Sequence, residues 1–203
     1  MPASPHDPSD PGHDPKPVSG FGDEARMPLS TDGTFTKQVI ASAFESLNGE
    51  LRAMNRKAVL GLCGGAVMTL VHEARISTED IDAWIDDPAI VGEVSERVGR
   101  SLGLPRNWLN DAVREFLPDW SHKWSTWAEY SHLTVWVAKP DVMLVMKLQA
   151  ARHRDVSDIR FLMKFLKLEG DLEKLWSLYT LYYGRDLELD KKLLLADLLR
   201  SGQ

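Results

Sequence analysis

Two aspartates separated by one residue, Asp80 and Asp82, are the side chains of this sequence best placed to do chemistry. Ile81, Ala83 and Ile85 alternate with polar or larger residues, and this period of two predicts a strand with both carboxylates on one face. Two carboxylates about 4 Å apart repel by roughly 4 kcal/mol at an effective dielectric near 20. A hard cation removes that cost, and Mg²⁺ is commonly held by one or two carboxylates plus substrate phosphates. The pair therefore predicts a Mg²⁺ site.

Gly64 and Gly65 form the second informative feature, because they directly follow the apolar run 58–63, which predicts a buried strand. Two glycines after a strand let the backbone approach a ligand closely, and the N–H groups at the following helix start suit a phosphate. Neither a Gly-Gly pair nor Asp-x-Asp is specific alone, since the latter is common on solvated strand edges. Their order is typical of phosphoryl or nucleotidyl transfer.

The order of these motifs resembles a known signature. Strand, Gly-Gly, short helix and then Asp-hydrophobic-Asp is similar to the polymerase-beta-type nucleotidyltransferase superfamily. The later segments 140–150 and 152–159, which contain Lys147, Arg154-Asp155 and Asp158-Ile159, resemble the second motif of a bacterial subgroup. That subgroup contains the nucleotidyltransferase toxins of abortive-infection and toxin–antitoxin systems, together with uncharacterised relatives. The resemblance covers roughly residues 58–162.

The resemblance implies roles for the first group of residues. Gly64 and Gly65 would contact the triphosphate of a nucleotide. Asp80 and Asp82 would be catalytic and would ligate Mg²⁺. Thr78 matches a hydroxyl position beside the acid pair and is predicted to be catalytic as well.

Lys147, Asp155 and Asp158 form the second part of the predicted site. A lysine is a compact point charge suited to phosphate, and the resemblance implies that Asp155 or Asp158 orients Lys147 or reaches the metal. Arg75 is a further predicted nucleotide contact. The residues alone leave other interpretations open. Asp155 could cap a helix that starts at Val156, and Asp158 could favour its first turn electrostatically. Arg75 could be a plain surface charge.

Two features depart from the superfamily pattern. The superfamily usually has Gly-Ser where this chain has Gly64-Gly65, so one hydroxyl contact to phosphate is missing. It also commonly has a third carboxylate on a later strand, and the third predicted strand, residues 133–137, has none. Either Asp155 or Asp158 substitutes, or one metal suffices, or the protein binds a nucleotide without turning it over.

The function implied by the resemblance is Mg²⁺-dependent transfer of NMP from an NTP to an acceptor. In the subgroup the acceptor can be tRNA, and the setting can be a toxin with a cognate antitoxin protein. A non-catalytic module that binds a nucleotide or a partner is the alternative, and a small-molecule transferase of the aminoglycoside-modifying kind is a third. A run of basic residues is a predicted contact for an RNA phosphate backbone, although a solvated helix face explains the same run. The run consists of Arg152, Arg154, Arg160 and Lys164.

The order of the predicted strands and helices that position these residues indicates an α+β fold. It would consist of a small mixed sheet with several flanking helices and a helical C-terminus. Residues 1–31, rich in Pro, Asp, Ser and Gly, are predicted to be a disordered tail. Residues 32–168 are predicted to form the nucleotidyltransferase-like core, and 169–203 a helical extension packed on it. Helices are predicted over 36–54, 66–73, 88–102, 105–116, 140–152, 156–167, 171–181 and 188–200.

The Trp-rich segment 117–131 has no clear assignment. Trp120, Trp124 and Trp127 have helical spacing, which favours a packing stripe over a base-stacking platform.

The composition indicates a soluble globular protein, with 43% apolar and 27% charged residues. Half of the net charge of −6 lies in residues 1–31, which leaves a mildly acidic body with little general attraction for polyanions. A single cysteine excludes an intramolecular disulfide. We find no apolar run of membrane-spanning length and no signal-peptide pattern, so we expect a cytoplasmic protein without a membrane partner.

Overall fold

The computed structural model describes residues 33–117, 123–184 and 186–200. These residues form a small mixed sheet, seven α-helices and a helical C-terminus, which confirms the predicted α+β class. The predicted disordered tail, residues 1–31, and Trp120 lie outside the described residues. In the described part, no helix combines the length and apolarity needed to cross a bilayer.

Five of the seven strands form the main sheet. The strands are β1 (Phe35–Thr36), β2 (Ala58–Leu62), β3 (Ser77–Thr78), β4 (Ile81–Ile85), β5 (Leu109–Asn110), β6 (Trp124–Glu129) and β7 (Leu133–Ala138). The sheet order is β5–β4–β2–β7–β6, and β1 pairs with β3 in a separate antiparallel ribbon. In the main sheet β2 is antiparallel to β4 and parallel to β7, whereas β4 and β5 are parallel to each other.

The helices begin and end at residues that suit those positions. The helices are α1 (Lys37–Ala53), α2 (Gly64–Leu70), α3 (Pro88–Leu102), α4 (Pro140–Ala150), α5 (Val156–Phe165), α6 (Leu172–Tyr183) and α7 (Leu189–Arg200). At the start of α3, the Asp87 side chain accepts a hydrogen bond from the Ile90 N–H at 3.2 Å. Pro88 occupies the first turn of that helix, where its missing N–H costs nothing.

The alternation in β4 divides the sheet into two faces. Ile81, Ala83 and Ile85 are buried in the core, whereas Asp82 and Trp84 are half-buried on the opposite face. Helix α1 packs against α3 and β7. Burial of the apolar face of β4 therefore fixes the direction in which the Asp82 carboxylate points.

The helix predicted over 105–116 is wrong. The chain instead forms β5 and then a 3₁₀ helix, Ala112–Phe116. The Ile81 N–H donates to the Trp108 carbonyl at 2.9 Å, and β5 pairs with the start of β4. Pairing with a distant strand has overridden the local helical pattern, a common outcome for short segments.

The strand β6 was not predicted, because its tryptophans have helical spacing. Trp124 and Trp127 lie on this strand, which has an irregularity between Thr126 and Ala128. Trp127 packs edge-on against Phe44 of α1, with ring centroids 6.1 Å apart. The packing role predicted for this tryptophan is therefore confirmed, although the predicted helical geometry is wrong.

The C-terminal helix α6 contacts α4 through tyrosine hydroxyls. Tyr179 hydrogen-bonds the Gln149 side chain, and Tyr182 hydrogen-bonds the Asp141 carboxylate. These contacts hold α6 on the helix that carries Lys147. The division of the chain at residue 168 stays a prediction.

Candidate active site

A cleft of about 440 Å³ opens between the start of α2, the β3–β4 segment and the α4–α5 connection. Every predicted site residue except Asp158 lines this cleft. The lining residues from that set are Gly64, Gly65, Arg75, Thr78, Asp80, Asp82, Lys147 and Asp155. The fold therefore gathers two sequence motifs about 70 residues apart into one cavity, although the chemical role of each residue stays a prediction.

Asp80 and Asp82, hereafter the acid pair, lie at the start of β4. The predicted strand over 80–85 is shorter in the structure, since it begins at Ile81. Burial raises the pKa of the Asp82 carboxyl, and the neighbouring charge of Asp80 raises it further. The structure thus brings the two acids together at a place where the ionised form of Asp82 is disfavoured.

Gly64 and Gly65 allow the acid pair and Thr78 to approach the start of α2. Gly64 has φ +63, and a Cβ on it would lie 2.8 Å from Asp82 Oδ2. A Cβ on Gly65 would lie only 2.1 Å from Thr78 Oγ1. Any side chain at either position would collide with the polar groups of the cleft. This close approach explains the glycines independently of phosphate binding, which stays a prediction.

Thr78 supplies a hydroxyl at the place that a side chain on residue 65 would occupy. The Thr78 side chain is buried, and its hydroxyl donates to the Asp80 carbonyl at 3.2 Å. This bond fixes the turn that leads into the acid pair. The Thr78 hydroxyl therefore lies on the wall of the cavity beside the start of α2, and its catalytic role stays a prediction.

Lys147 lies between the carboxylates of Asp155 and Asp158. Its Nζ atom is 2.8 Å from Asp155 Oδ1 and 2.6 Å from Asp158 Oδ2. All three residues are buried, with Asp158 only 2% exposed. The Asp155 side chain makes no capping bond at the start of α5, so the helix-cap interpretation is wrong. Asp158 does lie in the first turn of α5, where its other interpretation placed it. Both acids contact the lysine, and the role in orienting it that the resemblance implied stays a prediction.

Arg75 joins the same group of charges from the loop before β3. Its Nε atom donates to Asp158 Oδ1 at 2.8 Å, and a terminal guanidinium nitrogen lies 2.7 Å from Oδ2. This two-point contact has the geometry in which arginine binds carboxylates most strongly. Arg75 is therefore no plain surface charge. We call Arg75, Lys147, Asp155 and Asp158 the lysine network; its two cations and two anions balance.

Asn110 is a neighbour of the acid pair that the sequence did not reveal. It lies on β5 directly opposite Asp82 in the pairing of the two strands. The uncharged Asn110 side chain favours the ionised form of Asp82. It therefore lowers the pKa of Asp82 and partly opposes the effect of burial. A two-residue strand has no periodicity to recognise, so no local signal could have identified Asn110.

The basic run predicted as an RNA contact is divided by the structure. Arg152 and Arg154 line the cleft, where their charges lower the pKa of Asp82. Neither forms an ion pair with another residue in the described ranges. Arg160 and Lys164 lie on α5 and do not line the cleft. The first two residues thus belong to the cavity, and only the last two follow the helix.

The acid pair could hold a divalent cation. No group of three or more His, Cys, Asp or Glu side chains in the described residues is arranged to bind a metal. The repulsion between Asp80 and Asp82 and the raised pKa of Asp82 are nevertheless the features that a cation would relieve. Two carboxylates suit Mg²⁺ best when phosphate and water oxygens supply the remaining ligands.

Comparison with known proteins adds the family. No curated protein and no solved structure matches the chain. A family described as nucleotidyltransferase of unknown function (DUF6036) matches residues 39–192, a span that contains all eight predicted residues of the cleft wall. The match supports the predicted superfamily, whereas the toxin subgroup stays a prediction. The chain belongs to this nucleotidyltransferase family.

Proposed function

We propose that the protein is a Mg²⁺-dependent enzyme that transfers a nucleoside monophosphate from an NTP to an acceptor. One observation carries the proposal. The acid pair faces the cations Lys147, Arg152 and Arg154 across a single cleft. A Mg²⁺–triphosphate complex has the charge distribution that complements both sides of such a cavity.

In this proposal Asp80 and Asp82 bind the cation together with oxygens of the triphosphate. A bound Mg²⁺ would neutralise phosphate charge and orient the phosphates for in-line displacement. The close approach of Gly64 and Gly65 leaves the backbone beside the acid pair uncovered by side chains. Phosphate oxygens can therefore come near the carboxylates and the main chain together.

Arg152, Arg154 and Lys147 would bind the phosphates. Neither arginine is engaged in an ion pair with a described residue, so each can turn toward an anion. Lys147 must exchange part of its pairing with Asp155 and Asp158 for contact with phosphate. The acceptor hydroxyl attacks the α-phosphorus, the bond to the bridging oxygen breaks, and pyrophosphate leaves while the hydroxyl proton passes to solvent.

The proposed acceptor is tRNA, and the proposed setting is a toxin restrained by an antitoxin protein. The resemblance of the two motifs to the toxin subgroup supports both. Lys164 is exposed on α5 next to the cleft helix and gives an RNA backbone a positive contact outside the cavity. A screen of small-molecule acceptors would distinguish the aminoglycoside-modifying alternative.

Transfer can be tested with labelled NTPs, Mg²⁺ and total tRNA. We expect labelled RNA with the wild-type protein and none with Asp80→Ala or Asp82→Ala. Asp86→Ala is the matched control, because Asp86 is exposed just beyond β4 and does not line the cleft. Labelling that persists unchanged in both acid-pair variants would contradict the proposed mechanism.

A non-catalytic nucleotide-binding module is the second candidate. The observation that favours it is Asn110, since the residue opposite Asp82 is an amide where a third carboxylate would assist catalysis. Calorimetry with NTP and Mg²⁺ separates the two candidates. Tight binding without turnover would favour the module, whereas transfer would favour the enzyme.

A further inference from the structure

The cleft has an apolar side, formed where the 3₁₀ helix packs against α4. Several residues of these two helices line the cavity there, and apart from Lys147 none of them has a nitrogen or oxygen atom in its side chain. The residues of this apolar side are Ala112, Val113, Phe116, Met143, Met146, Lys147 and Ala150. Those that belong to α4 have the spacing of a single helix face. The cavity is therefore charged at the acid pair and largely apolar along this side.

Phe116 provides an exposed aromatic ring on the apolar side. Its residue is 39% exposed, whereas Val113, Met143 and Met146 on the same side are buried. Of the large apolar side chains that are exposed in the described residues, Phe116 alone lines the cleft. A ligand that covers this ring removes apolar surface from water, which favours binding. The ring is therefore a candidate contact for a flat, weakly polar group.

The backbone that carries Phe116 is held from two directions. The Arg114 side chain donates to the Ile85 carbonyl at 2.5 Å and to the Asp111 carboxylate at 2.7 Å. The Tyr183 hydroxyl donates to the Phe116 carbonyl at 2.8 Å. The 3₁₀ helix is thus anchored to β4 and to α6 before any ligand binds. Little backbone ordering is needed when a ligand covers the ring, and this lowers the cost of binding.

We infer that Phe116 is the stacking surface for the base of the NTP and that the cleft discriminates only weakly among the four bases. In the proposed function the triphosphate lies at the acid pair, so the apolar side is the part of the same cavity that complements the base. This inference rests on the proposed function, since it concerns the same NTP.

The weak discrimination follows from the chemistry of the apolar side. Stacking on an aromatic ring tolerates every base, because every base has a π-face. Strong discrimination instead requires a site that hydrogen-bonds the polar groups of one ligand and leaves them unpaired with another. Lys147, the polar member of this side, is already paired with Asp155 and Asp158. The apolar side therefore holds a base by its face and reads little of its edge.

The test compares nucleotides with a ligand that has no base. Isothermal calorimetry with Mg²⁺ measures the affinity of wild type and Phe116→Ala for non-hydrolysable analogues of ATP, GTP, CTP and UTP, and for inorganic tripolyphosphate. We expect the wild-type affinities for the four nucleotides to agree within about 10-fold and to exceed the affinity for tripolyphosphate. Phe116→Ala should weaken nucleotide binding about 5-fold to 150-fold and leave tripolyphosphate binding unchanged.

Two further variants complete the test. Phe165→Ala is the matched control, because Phe165 is 56% exposed on α5, does not line the cleft and carries an equal ring. It should leave every affinity unchanged. Phe116→Leu keeps an apolar side chain without the ring and covers the case in which Phe116→Ala does not fold. We expect the same selective loss of nucleotide affinity in Phe116→Leu, to a smaller degree.

Several results would overturn the inference. These are unchanged nucleotide affinity in the folded Phe116 variants, an equal loss in Phe165→Ala, equal weakening of nucleotides and tripolyphosphate, or a larger preference for one base than expected. Wild-type protein that binds tripolyphosphate as tightly as the nucleotides would also overturn it, while leaving the proposed function standing. Absence of Mg²⁺-dependent binding of all these ligands to the wild type would overturn the proposed function itself, and the inference with it.

Discussion

The two walls of the cleft handle charge in opposite ways. On the β4 wall, Asp80 and Asp82 lie together, and burial and mutual repulsion raise the pKa of Asp82. In the described residues, no lysine or arginine is within ion-pair distance of either carboxylate. On the α4–α5 wall, Lys147 and Arg75 are held at 2.6–2.8 Å by buried carboxylates. One wall carries charge that a ligand would relieve, and the other carries charge that the fold already satisfies.

Because of this difference, ligand binding is expected to depend most on the β4 wall, and the stability of the fold most on the α4–α5 wall. A charged group whose folded-state pKa is shifted against ionisation weakens the fold, and its removal is expected to stabilise the protein. A buried ion pair behaves differently, because loss of one partner leaves the other charge uncompensated. Substitutions on the two walls should therefore change activity and unfolding free energy in different proportions.

The largest expected effect is on transfer by Asp82→Asn. This substitution keeps the size of the side chain and removes the charge, so we expect activity to fall about 10⁴-fold, equivalent to about 5.4 kcal/mol of transition-state stabilisation. Because ionised Asp82 is costly in the folded protein, the free energy of unfolding should stay constant or rise at neutral pH. Initial transfer rates and urea unfolding measure the two quantities. A large loss of stability together with activity would break the distinction between the walls.

The next effect is on stability, on the opposite wall. Asp158→Ala leaves Arg75 without its carboxylate and Lys147 with Asp155 alone, so we expect a loss of about 3–5 kcal/mol of unfolding free energy. Urea unfolding measures the loss. Glu169→Ala is the control, because Glu169 is exposed and removes an equal charge. Equal stability of these two variants would show that the lysine network does not hold this wall together.

A smaller effect on stability is expected at Gly65, where the missing side chain leaves room for Thr78. Gly65→Ala places a methyl group 2.1 Å from Thr78 Oγ1, so we expect a loss of about 1–3 kcal/mol by overpacking. In the Gly65→Ala background, Thr78→Ser retains the colliding hydroxyl and should leave the loss of stability in place. Thr78→Gly removes the colliding atom and should restore most of the lost unfolding free energy. Thermal or urea unfolding of the single and double variants measures this coupling. Additive effects would contradict the close approach.

The smallest expected effect is a shift in pH dependence. Asp82 binds a cation only when ionised, and its pKa is raised above the ordinary 3.8, so Mg²⁺-dependent nucleotide binding should weaken as pH falls through that raised value. Protonated Asp82 stabilises the fold, and this stabilisation should be lost as pH rises through the same range. Arg154→Ala removes a charge that lowers this pKa, so the binding midpoint should move to higher pH. A midpoint that moves to lower pH would contradict the assigned electrostatics.

The sequence predicted the parts of the site that have local patterns. Gly64 and Gly65 form a turn after an apolar run, and the acid pair belongs to a strand with a recognisable period of two. Lys147 and Asp155 belong to one contiguous motif. These residues do line one cleft. Asn110 could not be predicted, because only the pairing of a two-residue strand with β4 brings it to Asp82.

The other unpredicted features also depend on distant contacts. The break between the helices over 140–152 and 156–167 is predicted by the sequence, but the direction in which it points Arg152 and Arg154, into the cleft, is not. That direction depends on the αL conformation of Ala151, with φ 49, for which an alanine gives no sequence signal. Strand β6 depends likewise on its pairing with β7.

The central claim is that the acid pair carries charge that a ligand must relieve, whereas the carboxylates of the lysine network already compensate Lys147 and Arg75 in the folded protein. Isothermal calorimetry of a non-hydrolysable NTP analogue with Mg²⁺, titrated into wild type and Asp82→Asn, tests it most directly. We predict Mg²⁺-dependent binding to the wild type and at least a 100-fold weaker affinity for Asp82→Asn, about 2.7 kcal/mol, with an equal or higher unfolding temperature. Equally tight, Mg²⁺-dependent binding by Asp82→Asn would contradict the account.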